Sequence, residues 1–183
     1  SNYLRKKGKL AKDTVVATVM SNLGLHKYAR DNGLELVQTK VGDRYVLEEM
    51  LKDGYNLGGE QSGHVILLDY NPTGDGILTS LMLIQAILEE NETASKMAEI
   101  IKLYPQVLIN AKVNSDKKYD YDKDDEIKSA IEKLEKEFAG NGRVLIRPSG
   151  TEPLVRVMIE GEDQEYITKK AKEIANLIEE KLK

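Results

Sequence analysis

Cysteine is absent from the 183 residues, which excludes disulfides and thiol chemistry and fits a reducing, cytoplasmic setting. Histidine occurs only twice, so little is available to build a histidine-ligated metal centre. No apolar run approaches the ~20 residues of a membrane span, which argues against a membrane role, and the N-terminal residues lack a signal-peptide pattern. No block of Lys and Arg stands out, and the formal net charge is −4, so no nucleic acid partner is expected. Internal repeats and low-complexity tracts are missing as well.

What is present has a soluble, globular balance, with 40% hydrophobic and 32% charged residues. The length suffices for one or two domains with sizeable cores. The chain begins at Ser1 without a methionine, directly in a basic, helix-like segment, Tyr3-Leu4-Arg5-Lys6-Lys7. It reads as a piece of something longer.

Thr14–Met20 is β-branched and almost wholly apolar, the pattern of a strand covered on both faces. Ser21 or Asn22 can cap a helix to about Asn32, which Gly33 stops. A second strand is expected over Leu34–Val41, a helix over Arg44–Lys52 and a third strand over Val65–Asp69. Gly76–Glu89, capped by Thr73 or Asp75, carries enough apolar residues to predict a deeply buried helix. Another helix is expected from about Thr93 to Leu103. Strands alternating with helices predict an α/β layer with parallel pairing.

After Pro105 the pattern changes. Val107–Val113 reads as a strand and Asn114–Asp125 as a solvated polar connection. Ile127, Ile131, Leu134 and Phe138 mark one helix face, closed by Gly140-Asn141-Gly142. A hairpin of Val144–Ile146 and Leu154–Ile159 follows, then a helix with Ile167, Ala171, Ile174 and Ile178 on one face. The expectation is an α/β domain with a mixed sheet over residues 1–104, then an α+β domain over 105–183 with helices on one side of an antiparallel sheet.

Two segments carry candidate chemistry. Arg147-Pro148-Ser149-Gly150-Thr151-Glu152-Pro153 joins the hairpin strands. Small residues let main-chain N–H groups turn inward as an anion-binding concavity. Arg147 can grip phosphate oxygens in a fork, and Arg156 can add a second. Pro and Gly also pre-set turn dihedrals, so an ordinary hairpin turn fits the same residues. The second segment is Gly58-Gly59-Glu60-Gln61-Ser62-Gly63-His64. Its glycines allow close backbone approach, and Glu60, Gln61, Ser62 and His64 offer the acceptors and donors that sugar hydroxyls require. A glycine-rich hairpin facing water is the competing reading. A Ser62–His64 catalytic pair two residues apart has poor geometry and no identifiable orienting acid. Metal ligation by His64 and Glu60 is a further option.

The whole heptapeptide at 147–153 resembles the phosphate loop of the α-D-phosphohexomutases, which move a phosphate between the C1 and C6 oxygens of a hexose. Gly-Glu-Gln-Ser-Gly-His at 59–64 is similar to that family's sugar loop. The Gln of this loop, with Thr39-Lys40-Val41-Gly42-Asp43-Arg44-Tyr45-Val46 and Asn71-Pro72-Thr73-Gly74-Asp75-Gly76, is most similar to the subgroup acting on phosphorylated hexosamines. That subgroup often shows Thr where this chain has Pro72. The resemblance implies the third and fourth domains of a four-domain enzyme serving amino-sugar nucleotide and cell-wall precursor synthesis. It implies that Glu60 and Ser62, beside Gly63 and His64, hold the hexose hydroxyls. It implies that Arg147, Ser149, Gly150, Thr151 and Arg156 hold the phosphate not being transferred. Gly42, Asp43 and Arg44 would line the same cleft; the bottom-up alternative is a helix N-terminal turn with Asp43 as cap. The Asn71–Gly76 loop reads as a turn and cap.

The family's catalytic serine loop and its Asp-Gly-Asp-x-Asp-Arg magnesium loop do not occur in this chain. Nucleophile and Mg²⁺ would then come from missing N-terminal domains, and this piece alone would be inactive. The reading from another class is a stand-alone sugar-phosphate binding module. A relative acting on glucose or mannose phosphates is a third.

Overall fold

The computed structural model describes residues 1–183, which divide into two units, Ser1–Leu103 and Tyr104–Lys183. The first opens with a short helix α1 (Asn2–Lys6) and then alternates β1 (Thr14–Thr18), α2 (Leu23–Asp31), β2 (Glu35–Thr39) and α3 (Asp43–Asp53). A hairpin of β3 (Leu57–Gly59) and β4 (Val65–Leu67) follows, then α4 (Gly76–Glu90) and α5 (Ala94–Ala98). The sheet order is β2-β1-β3-β4. β1 runs parallel to both neighbours, and β4 is antiparallel to β3, so the sheet is mixed, as expected.

Side-chain alternation explains why β1 reads as continuously apolar. Val15 points, with Leu36, Leu57 and Val65, to the face covered by Leu4, Ala29, Leu78 and Met82. Val16, with Val37 and Ile66, points to the face covered by Val46 and Met50 of α3. Gly58 makes that second face possible. A Cβ there would lie 2.5 Å from Met50 Sδ and 2.6 Å from Val46 Cγ1, so only glycine lets α3 lie this close.

Local chemistry ends the helices where the sequence suggests. Asn22 Oδ1 accepts from the Gly24 N–H at 2.9 Å, and Asp75 accepts from the Leu78 N–H at 3.0 Å. Gly54, at φ +72°, closes α3 by donating to the Met50 carbonyl at 2.9 Å.

Four expectations are corrected. β1 stops at Thr18 rather than Met20, because the Ser21 N–H turns back to the Thr18 carbonyl at 3.0 Å. α5 ends at Ala98 rather than Leu103; β-branched Ile100 and Ile101 are poor helix formers. β3 has no expected strand of its own; its residues read only as part of a glycine-rich loop or hairpin. Two of its three residues are glycines, and only pairing to β1 on one side and β4 on the other makes it a strand. Finally, α4 is not deeply buried. Leu78, Met82 and Ala86, four apart, form the one stripe that meets the sheet. Ile77, Leu81 and Leu88 on the remaining surface are 78%, 60% and 73% exposed. Uniform apolarity predicts burial all round, but the residues of this chain cover one side.

α1 is fastened to the C-terminal end of α4. Lys7 Nζ lies 2.6 Å from Glu89 Oε2, and Gln85 donates to the other Glu89 oxygen at 2.8 Å. The bond from Lys7, then those from Gln85 and Tyr3, hold the Glu89 carboxyl at about 2.

The second unit comprises β5 (Gln106–Lys112), α6 (Asp125–Phe138), β6 (Arg143–Pro148), β7 (Leu154–Glu160) and α7 (Gln164–Leu182). Its sheet is antiparallel throughout, in the order β5-β7-β6. On the central strand Val155, Val157 and Ile159 are fully buried in a core shared with Ile127 and Leu134 of α6 and Ile167, Ala171, Ile174 and Ile178 of α7. Both helices therefore pack by the stripes read from the sequence. Asp124 caps α6 through the Glu126 and Ile127 N–H groups, and Asp163 caps α7 through those of Glu165 and Tyr166. The alternate residues of β6 and β7 occupy the other face. Glu160 is fully buried there and pairs with Arg143, its partner in register.

Truncating fully buried Ile178 to Ala should cost about 2–5 kcal/mol in urea unfolding, whereas Leu88→Ala should stay within about 0.5 kcal/mol. Equal losses would contradict this description of α4. The Glu89 carboxylate is favoured in the folded state, so its contribution is present above its ordinary value of 4.5 and lost as pH falls towards about 2. A carboxyl NMR titration should find its midpoint near 2, and Lys7→Met should raise it. A wild-type midpoint in the ordinary range refutes the Lys7 contact.

Candidate functional site

In the first unit, candidate residues gather beyond the carboxyl ends of parallel strands, where open α/β sheets bind ligands. Gly42 follows β2, Ser21 follows β1, and Glu60 follows β3. A cleft of ≈ 310 Å³ there is lined by Ala17, Ser21, Asn22, Gly59, Glu60 and Gln61, among others.

The hairpin loop at 60–64 is closed by its own backbone. The Glu60 N–H donates to the His64 carbonyl at 2.9 Å, and the Gly63 N–H donates to the Glu60 carbonyl at 3.1 Å. A Cβ at Gly59 would stand 2.7 Å from that same His64 carbonyl, so glycine is needed for the strands to meet. The Glu60 side chain is only 10% exposed. Its Oε1 accepts from the Gly42 N–H at 2.7 Å, and its Oε2 accepts from the Ser62 hydroxyl at 3.2 Å. Each carboxylate oxygen offers about two acceptor sites, so acceptor capacity remains for hydroxyl groups.

Ser62 and His64, expected to be badly placed for each other, come within 3.2 Å, Oγ to Nδ1. The order is nevertheless wrong for a nucleophile. In a Ser-His-acid triad the imidazole lies between hydroxyl and acid; here the hydroxyl lies between acid and imidazole. The His64 ring is backed by Gly74, where a Cβ would lie 3.1 Å from its Cδ2. The Asn71–Gly76 loop thus supports the hairpin as well as capping α4.

Gly42, rather than Asp43, is the residue preceding α3, at φ +133°. Asp43 sits in the first turn and accepts from the Arg44 N–H at 2.8 Å. The Arg44 guanidinium lies outward against Glu48 at 2.7 Å, which raises its pKa. The link between this turn and the 60–64 loop is therefore the Gly42 backbone, not the side chains of Asp43 or Arg44.

In the second unit Arg147 and Arg156 are directly opposite one another on β6 and β7. Directly opposed residues point to one face, and like charges so placed repel. Burial, then the Arg156 guanidinium, lowers the Arg147 pKa. Arg156 Nη2 lies 3.4 Å from Glu152 Oε2, while its buried Nε has no acceptor. At the tip between them, Ser149 is 2% exposed. Its Oγ accepts from the Glu152 N–H at 3.3 Å, and its own N–H donates to the Leu154 carbonyl at 2.8 Å. Gly150 and Thr151 are exposed. The assembly offers donors and positive charge, suited to a phosphate dianion. Ser149 shapes the loop from within, while Gly150 and Thr151 face outward.

Two residues that the sequence reading assigned to a solvated connection also reach this hairpin. Lys118 Nζ donates to the Ser149 carbonyl at 2.9 Å, and the Tyr121 hydroxyl donates to the Ile146 carbonyl at 3.4 Å. No pattern in their polar segment signals it. As for metal, no group of three His, Asp or Glu side chains is gathered in the structure, and Glu60 is engaged by Gly42 and Ser62. These residues do not form a magnesium site.

Comparison with known proteins agrees with this architecture. The chain is 58% identical over 180 residues to a phosphoglucosamine mutase of Ruminiclostridium cellulolyticum, and 59% identical over 179 residues to one of Clostridioides difficile. These alignments cover 98% of this chain and 40% of each relative, so the chain spans about two-fifths of their length. Among solved structures, N-acetylphosphoglucosamine mutase of Aspergillus fumigatus shares the fold with a TM-score of 0.77 at 20% identity, over 98% of this chain and 41% of that one. An N-acetylglucosamine-phosphate mutase of the α-D-phosphohexomutase superfamily gives 0.76 at 20% identity, over 97% and 42%. Residues 1–104 match the profile "Phosphoglucomutase/phosphomannomutase, alpha/beta/alpha domain III", and residues 108–177 match the C-terminal domain of the same family. With both loops seated on these two folds in sequence order, the chain belongs to the phosphoglucomutase/phosphomannomutase family, of which it carries the third and the C-terminal domains.

Proposed function

We propose that this chain is the C-terminal part of a phosphoglucosamine mutase, which interconverts glucosamine 6-phosphate and glucosamine 1-phosphate through a bisphosphorylated intermediate. The observation that carries this reading is the opposed Arg147–Arg156 pair, with a buried guanidinium donor still lacking an acceptor. Two repelling cations held on one face are stabilised when a dianion binds between them. The identities near 58% to phosphoglucosamine mutases favour a hexosamine substrate over glucose or mannose phosphates.

In this reading Glu60 and Ser62, with Gly63 and His64 beside them, take the hexose hydroxyls. Arg147, Arg156 and the Gly150 and Thr151 backbone take the phosphate that is not transferred, with Ser149 shaping their loop. Asp43 and Arg44 line the sugar side. Both loops grip features present in either orientation of the intermediate, which must turn over between two half-reactions. The phosphoserine and the Mg²⁺ ion, which supplies electrostatic stabilisation to the transferring phosphoryl group, belong to parts of the enzyme outside this chain. The apolar outer surface of α4 is consistent with packing against that remainder. The setting is cytoplasmic, and the piece alone turns nothing over.

The test compares the full-length gene product with this chain on glucosamine, glucose and mannose 6-phosphates. Full-length protein should turn over the glucosamine ester fastest, and the chain alone should be inactive. Full-length Arg147→Ala should raise KM by about ten- to a hundredfold, with a smaller effect on kcat. Unchanged steady-state constants would remove Arg147 from the site. A full-length protein without mutase activity that still binds the ester would favour a binding module.

A further inference from the structure

Lys118 lies in the polar stretch between β5 and α6, yet its ammonium turns back onto the tip of the β6–β7 hairpin. Nζ donates to the Ser149 carbonyl at 2.9 Å and stands 3.5 Å from the Gly150 carbonyl. The ammonium also lies 5.1 Å from the centre of the Tyr119 ring. Nearby Lys123 is neutralised by Asp120 at 2.7 Å; Lys118 spends its charge on backbone oxygens instead. The Tyr121 hydroxyl, bonded to the Ile146 carbonyl, ties the same stretch to β6.

The peptide bond gives this contact a consequence. In a trans peptide the carbonyl and the following N–H point in opposite directions, and the chain has no cis bond. Drawing the Ser149 and Gly150 carbonyls towards Lys118 therefore directs the Gly150 and Thr151 N–H groups to the opposite side. There the tip is exposed, and neither N–H has an acceptor in the protein. A cation on a carbonyl also polarises the amide beyond it and strengthens that amide as a donor.

We propose that Lys118 is a positioning residue of the phosphate site, an inference that rests on the function proposed above. It holds two carbonyls from behind, presents the Gly150 and Thr151 N–H groups as paired donors, and adds a third positive charge behind an anion gripped by Arg147 and Arg156. Lysine suits the role because a flexible point charge can gather two carbonyls without demanding a planar fork.

The test titrates inorganic phosphate, then glucosamine 6-phosphate, into this chain and its variants, following backbone amides by NMR. In the wild type the Gly150 and Thr151 amide protons should move downfield together. Lys118→Met should weaken phosphate binding by about tenfold and flatten both shifts, while the urea midpoint and the α7 amides stay in place. Lys118→Arg, which keeps the charge, should recover most of the affinity. If Lys118→Met binds as the wild type does while Arg147→Ala does not, the phosphate site stands and the role of Lys118 falls. A Lys118→Met variant that loses stability but keeps affinity and both shifts makes Lys118 a strut only and overturns the inference. If no amide at the wild-type tip responds to either ligand, the phosphate-site reading fails and takes this inference with it.

Discussion

Two directly opposed arginines set the terms for the second unit. Guanidiniums on directly opposed residues of adjacent strands repel, and the register of the β6–β7 ladder places Arg147 opposite Arg156. That ladder is secured on its reverse face by Val155, Val157 and Ile159, all fully buried against α6 and α7. Packing on one face of the sheet thereby holds an unfavourable charge arrangement on the other. Glu152 relieves it only partly, at 3.4 Å from one Arg156 nitrogen and without reaching the buried Nε. In the function proposed above, a dianion arriving here would meet positive charges already gathered on one face of the sheet.

The first unit solves the opposite problem. There the central group is an acceptor, the nearly buried Glu60 carboxylate, held by the Gly42 N–H before α3 and by the Ser62 hydroxyl. Both contacts hydrogen-bond the charged form and make its burial tolerable. They also lock the 60–64 loop to the carboxyl edge of the sheet, with Gly58 and Gly59 permitting the close backbone approaches on which that placement depends.

Strong periodicity made most of the fold legible. Ile127 with Leu134, and Ile167 with Ala171, Ile174 and Ile178, announce helix faces that the second core uses as read. The parallel part of the first sheet was legible from β1 and the alternation of strands with helices. Legibility failed where tertiary context outweighs local preference. Leu57–Gly59 is a strand because two neighbours pair with it, which no propensity for glycine would suggest. α4 has the composition of a buried helix, but composition does not say how many of its faces are covered. In the site, the residue types of both loops were readable, since Arg, Ser, Gly and Thr in one and Glu, Ser and His in the other carry their chemistry openly. Directions were not readable. Ser149 is turned inward, Arg44 is turned to Glu48, and Lys118 reaches the hairpin from a segment without periodicity.

The contrast between the two loops bears on the function proposed above, in which one substrate is used in two orientations. Carboxylate and hydroxyl groups in the first unit suit neutral, hydrogen-donating surface, whereas guanidinium and amide donors in the second suit negative charge. A hexose bisphosphate presents neutral hydroxyls in its middle and a dianion at each end. Turning it end for end exchanges the dianions and leaves the hydroxyls in the middle, so neither loop meets a chemically different partner in the two half-reactions proposed above. In the proposed function, tolerance of that reversal would rest on acceptors in the first unit and donors in the second.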